Sequence, residues 1–157
     1  MTMTTEAELL HGLSPDAARA IVALGSRLVL PAGGVLFTLG SDADRLFLIE
    51  RGRVSLTLPI QVEGREVDLL VEEKVTGQVV GWSALIPPHR FTLKACAPFE
   101  VELLAIERQA LVEHFAAHPE VAYTVTRSIA AVVGQRLQVF QAMWLRQMQR
   151  ALEMHAV

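Results

Sequence analysis

Between residues 35 and 106 apolar and polar positions alternate in short runs. Val35, Phe37 and Leu39 fall on one side of a run, Phe47 and Ile49 share a face, and so do Val54, Leu56 and Leu58. A period of two predicts half-buried strands. Further runs at 67–71, 78–81, 91–97 and 101–106 bring the expectation to about eight short strands. Gly33, Gly34, Gly40, Gly52, Gly64, Gly77 and Gly81 punctuate them as turn markers. This spacing is that of a mainly β protein, a closed barrel or a two-sheet jelly roll. Helices flank the strands rather than alternate with them. Ser14-Pro15-Asp16 supplies an N-cap and a first-turn proline for a helix that stops at Gly25. A second helix is predicted over 107–117, and a third from Pro119 to the end of the chain.

The third helix carries an apolar stripe, Ile129, Val133, Leu137, Phe140, Trp144, Met148 and Ala151, that returns to the same face every eleven residues. That period is close to a straight helix rather than a strict heptad. At roughly 35 residues it would measure about 50 Å, longer than the β core can cover. Val133, Leu137, Phe140, Trp144 and Met148 are therefore expected to form a parallel homodimer interface. Gly134 in mid-helix would suit a close approach by another backbone.

The chain has 157 residues, 52% hydrophobic and 20% charged, which favours one soluble globular domain. Its expected layout is a β-roll with an N-terminal helix over 1–118 and a long dimerisation helix over 119–157. No apolar run is long enough for a membrane span, and the first six residues lack a signal-peptide pattern, so the cytoplasm is the expected compartment. Cys96 is the single cysteine, which excludes an intrachain disulfide. The net charge of −3 argues against nonspecific nucleic-acid binding. Arg127, Arg136, Arg146 and Arg150 outnumber Glu120 and Glu153 in the last helix, but unclustered arginines read as a solvated face.

Candidate chemistry concentrates in Gly81-Trp-Ser-Ala-Leu-Ile-Pro-Pro-His-Arg-Phe-Thr92. With Pro31-Ala-Gly-Gly-Val-Leu-Phe37, Leu46-Phe-Leu-Ile-Glu-Arg-Gly-Arg-Val-Ser-Leu56 and Gly77-Gln-Val-Val80 before it, this order resembles the cyclic-nucleotide-binding domain family, of the catabolite-activator type, over nearly the whole chain. The resemblance implies a β jelly roll (double-stranded β-helix) with a long C-terminal helix. It also implies a regulatory module that binds a cyclic nucleotide or other anion. The ligand residues it implies are Gly81, Trp82, Ser83, Ala84, Leu85, His89, Arg90, Phe91 and Thr92, with Phe140 and Gln141 on the adenine side. Backbone N–H groups after Gly81 facing an arginine would hold a phosphate.

Departures from the family pattern shape the expected ligand. The family's ribose-binding glutamate falls on Trp82, whose indole only donates hydrogen bonds. Phe140-Gln141 stand where the adenine-reading pair is expected. Cyclic AMP should accordingly bind weakly or not at all. In the shortened loop either His89 or Arg90 takes the phosphate position, with Arg90 favoured because its charge and fork do not depend on pH. Trp82 either stacks on a planar ligand or fills the pocket, and in the second case the domain is a degenerate dimerisation or protein-interaction module.

No catalytic group emerges: the serines lack a nucleophile elbow, and Asp42, Asp44, Glu72 and Glu73 read as turn and surface carboxylates. His114 and His118, four residues apart, lack a third metal ligand, so no metal is expected, and the only cofactor-like molecule expected is a cyclic nucleotide or other anionic ligand. The resemblance implies no DNA binding by the family's usual route, since the chain as read ends at Val157. The output partner would be another protein.

Overall fold

A computed structural model describes residues 6–156; the first residues, read above for a signal peptide, lie outside this range. A short 3-10 turn, Glu8–Leu10, precedes α1 (Pro15–Ala23). Ser14 caps α1 as its sequence requires, the hydroxyl oxygen accepting from the Ala17 N–H at 3.2 Å. Eight strands follow: β1 (Ser26–Leu30), β2 (Val35–Phe37), β3 (Arg45–Arg51), β4 (Arg53–Val62), β5 (Arg65–Val75), β6 (Val79–Val80), β7 (Lys94–Cys96) and β8 (Val101–Glu107). They form two four-stranded sheets, ordered β1-β8-β3-β6 and β2-β7-β4-β5, with antiparallel pairing throughout. The fold is the jelly roll expected, closed at its end by α2 (Arg108–Ala117) and α3 (Pro119–His155). No helix among the described residues is long and apolar enough to cross a membrane.

The core sits between the sheets and under the helices. In β3 the consecutive residues Leu46, Phe47, Leu48 and Ile49 are all buried, as are Leu103 to Ile106 in β8. Both faces of this sheet are therefore covered, one by the roll interior and the other by the helical layer. Alternation along β4 buries Val54 and Leu56, and their cross-strand partners on β5 are Lys74 and Glu72. A β-bulge between Leu56 and Thr57 leaves Val71 as the extra residue on β5. Beyond it, Glu72 and Lys74 turn into the roll.

Strand lengths depart from the expectation in two places. The run at 91–97 contributes only three residues to β7, because the 89–91 segment is stitched to the 40–43 loop instead. Gly40 N–H donates to Phe91 O at 2.8 Å, and Ala43 N–H to His89 O at 2.8 Å. β1 was not foreseen; its residues are largely exposed on an edge strand, so the apolar signal there is weak.

The third helix is 37 residues long, as the pattern predicts, but its stripe divides. Val121, Val125, Ile129, Val132 and Arg136 are buried against the roll. Leu137 and Trp144 point away, 69% and 61% exposed, with Met148 and Leu152 also exposed. Val133 and Phe140 lie between, half-buried against the chain's own core. The period of 3.6 explains this: a stripe drawn at 3.67 drifts slowly, and Val132 rather than Val133 takes the inward position. Among the described residues, nothing outside the helix's own nearby backbone comes within 4 Å of a Cβ built on Gly134.

Candidate functional site

Gly81 opens a single 3-10 turn, Trp82–Leu85, in the left-handed conformation (φ 81°). A Cβ there would sit 3.2 Å from the Phe91 ring and 3.3 Å from Arg45 O. Both the backbone angle and the crowding require glycine. Gly81→Ala is expected to destabilise the fold by about 1–3 kcal/mol, measurable as a lowered urea midpoint with an unchanged m-value.

Beside this turn, Gly81, Trp82 and Ser83 line a small cavity with Phe37, Leu56, Phe91, Thr92, Leu93 and Arg136. Its free volume is about 10 Å³, room for roughly one water molecule. Phe91 stacks on Phe37 with ring centroids 3.7 Å apart and planes within 6°. Trp82 is half-buried and packs against the hydrophobic core.

The other residues singled out from sequence lie elsewhere. Ala84, Leu85, His89 and Arg90 do not line the cavity, nor do Phe140 and Gln141. Arg90 is exposed; its Nη1 reaches Gly40 O at 3.4 Å, and its backbone bridges to Asp42. The reason is alternation: Phe91 turns inward to stack on Phe37, and in extended chain its predecessor must turn outward. His89 adopts φ 59° and places Nδ1 3.3 Å from Ser83 O, a contact that holds the loop against the 3-10 turn.

The cation at the cavity wall comes from α3. Arg136 is only 8% exposed, and its Nε donates to Glu72 Oε2 at 2.7 Å. The other oxygen, Glu72 Oε1, is 2.9 Å from Lys74 Nζ, and Lys74 is 2% exposed. Two cations thus share one carboxylate in a cluster that ties β5 to α3. Burial pushes the Glu72 carboxyl up, but hydrogen bonds from Lys74 and Arg136 together outweigh it and hold the group below the ordinary glutamate value.

From sequence Arg136 reads as part of a solvated face and Glu72 as a surface carboxylate, whereas the fold buries Arg136 and leaves the Glu72 side chain 18% exposed. A usable signal was present: Val54 and Leu56 mark the inner face of β4, so the residues opposite them on β5 had to be inward too. The register that makes them opposite depends on the bulge, which the sequence pattern did not reveal.

His114 and His118 meet at the α2–α3 corner with ring centroids 4.5 Å apart and planes tilted by 33°. Burial, and then the neighbouring His118, push His114 down from the ordinary histidine value. Among the described residues no cluster of three or more metal-ligating side chains occurs.

Comparison with known proteins agrees with this architecture. The chain is 30% identical over 145 residues, 90% of its length, to glutaminase 1 of Bradyrhizobium diazoefficiens, and it spans 22% of that protein. The N-terminal domain of a transcriptional regulator from Streptomyces coelicolor superposes with a TM-score of 0.70 at 27% identity, covering 86% of this chain and 94% of that one. The catabolite activator protein of Thermus thermophilus shares the fold, with a TM-score of 0.72 at 24% identity over 91% of this chain and 63% of its own. The sequence pattern of the cyclic nucleotide-binding domain matches residues 27–118, from β1 through the cavity to the end of α2. With its jelly roll, its glycine-opened turn and its long closing helix, the chain belongs to the cyclic nucleotide-binding domain family.

Proposed function

We propose that this chain is a non-catalytic regulatory module that senses a small anionic ligand beneath α3 and acts as a homodimer through that helix. The observation that carries this reading is the buried cluster at the cavity wall, where Arg136 and Lys74 face a single carboxylate. A surplus positive charge in a low-dielectric interior is costly, and an anion bound beside it offsets that cost. Ligand contacts are assigned to Gly81, Trp82, Ser83, Phe91 and Thr92 around the cavity, with Arg136 replacing Arg90 as the countercharge. Because the cavity holds about 10 Å³, a ligand larger than a water molecule requires its lining to shift. Trp82, a donor only, gives a ribose hydroxyl no acceptor, so the ligand favoured is a compact anion over cyclic AMP.

A second reading, a closed module that only associates with proteins, draws on the same small volume. A thermal-shift screen against sulfate, phosphate, phosphorylated metabolites and cyclic nucleotides separates the two. A ligand present at 100 times its Kd stabilises the protein by about 2.7 kcal/mol. Stabilisation is expected with wild type and with Arg90→Ala, and is expected to vanish in Arg136→Met. No stabilisation by any anion would leave the closed module standing. Loss of the effect in Arg90→Ala would return the site to the loop.

A further inference from the structure

We infer that Glu72 is a built-in competitor for the anion site: its carboxylate occupies the guanidinium that an incoming anion needs, so ligand and Glu72 exclude one another on Arg136. This rests on the anion-sensing reading above and specifies how that site is regulated.

Among the described residues Arg136 is the one cationic side chain in the cavity lining, and it is committed to Glu72 Oε2 at 2.7 Å. An arriving anion therefore meets an arginine already neutralised by an internal carboxylate, which lowers its apparent affinity. Lys74 makes the exchange feasible. It holds the opposite oxygen of the same carboxylate at 2.9 Å and belongs to the same strand, two residues away. When Arg136 turns to the ligand, Glu72 stays paired with Lys74, and no buried carboxylate is stranded. Before the exchange the cluster carries two cations and one anion; afterwards it carries two of each. Each cation then has its own partner, the arrangement that buried charge requires. Arg136 lies on α3 immediately before Leu137, which opens the exposed apolar stripe, so the change of partner takes place on the helix assigned to association.

The test compares sulfate binding to the full chain as wild type and as Glu72→Gln, by calorimetry at constant ionic strength. Glutamine keeps the shape and removes the competing charge. Removing one charge-assisted bond to Arg136 is expected to raise sulfate affinity about tenfold or more. If wild type binds and Glu72→Gln binds no more tightly, the competition is wrong while the anion reading survives. If neither protein binds sulfate, the competition as stated is overturned, and the wider anion screen above decides the anion reading separately. Should Glu72→Gln not fold, wild type decides by NMR. Titration with sulfate should move the Glu72 side-chain carboxyl carbon and the Arg136 Nε–H together, in proportion to saturation. Saturation that leaves both resonances in place would overturn the inference.

Discussion

Trp144→Asp is expected to turn a dimer into a monomer at micromolar concentration while leaving the β-roll folded. Trp144 is 61% exposed and Leu137 69% exposed, about two helical turns apart on α3, with Met148 and Leu152 continuing the same face. A helix of 37 residues is about 55 Å long, and its outward apolar face stays exposed among the described residues. Buried aromatic anchors at interfaces contribute 2 kcal/mol or more, so removing one should weaken association by about 30-fold or more. Leu137→Asp should act in the same direction. Phe140→Asp is a poorer probe, because Phe140 also packs on the chain's own core and its loss would cost stability as well. Sedimentation of the three variants with circular dichroism as the folding control makes the distinction. A wild type that sediments as a monomer would end the proposal.

The second large effect belongs to the ion cluster. Glu72→Ala leaves Lys74 and Arg136 buried without their shared carboxylate, and breaking a buried pair in this way costs about 3–5 kcal/mol. For a chain of this size that lowers Tm by on the order of 10 °C. Glu73→Ala, one residue away, is the control. Its carboxylate lies 3.7 Å from Arg53 at the surface, and an exposed pair of that kind contributes about 0–1 kcal/mol. A similar loss from both substitutions would deny the cluster its special role. Acid should act as the Glu72 substitution does. The Glu72 pKa is depressed in the folded state, so its stabilisation is fully present above the ordinary glutamate value and is lost as pH falls through the depressed one. His114 is depressed as well, and its contribution fades earlier, as pH falls below the ordinary histidine range. Urea unfolding from pH 8 to pH 3 should therefore show two declines, the lower one absent in Glu72→Ala.

The period-two runs, the glycines between them and the Ser14-Pro15 start are local signals, and each reports a constraint that one segment satisfies by itself. Glycines such as Gly81 mark points where a left-handed backbone is allowed, a property of the residue itself, and the 3.6-residue period of α3 is a property of that helix alone. The jelly roll and its long closing helix were accordingly legible from sequence; that Gly81, Trp82 and Ser83 line a cavity comes from the structure. The charge that faces the cavity was not legible either. Arg90 lies close to that turn in sequence, yet the stacking of Phe91 on Phe37 sends it outward. Arg136 and Glu72 are 64 residues apart and meet only because a bulge in β5 turns Glu72 into the roll and the packing of Val132 sets the rotation of α3. Sequence alone determined which segments are strands and helices, because propensity and periodicity act within a segment. Tertiary structure decided which cation reaches the cavity, because that depends on register and helix rotation, which are set by packing between segments distant in the chain.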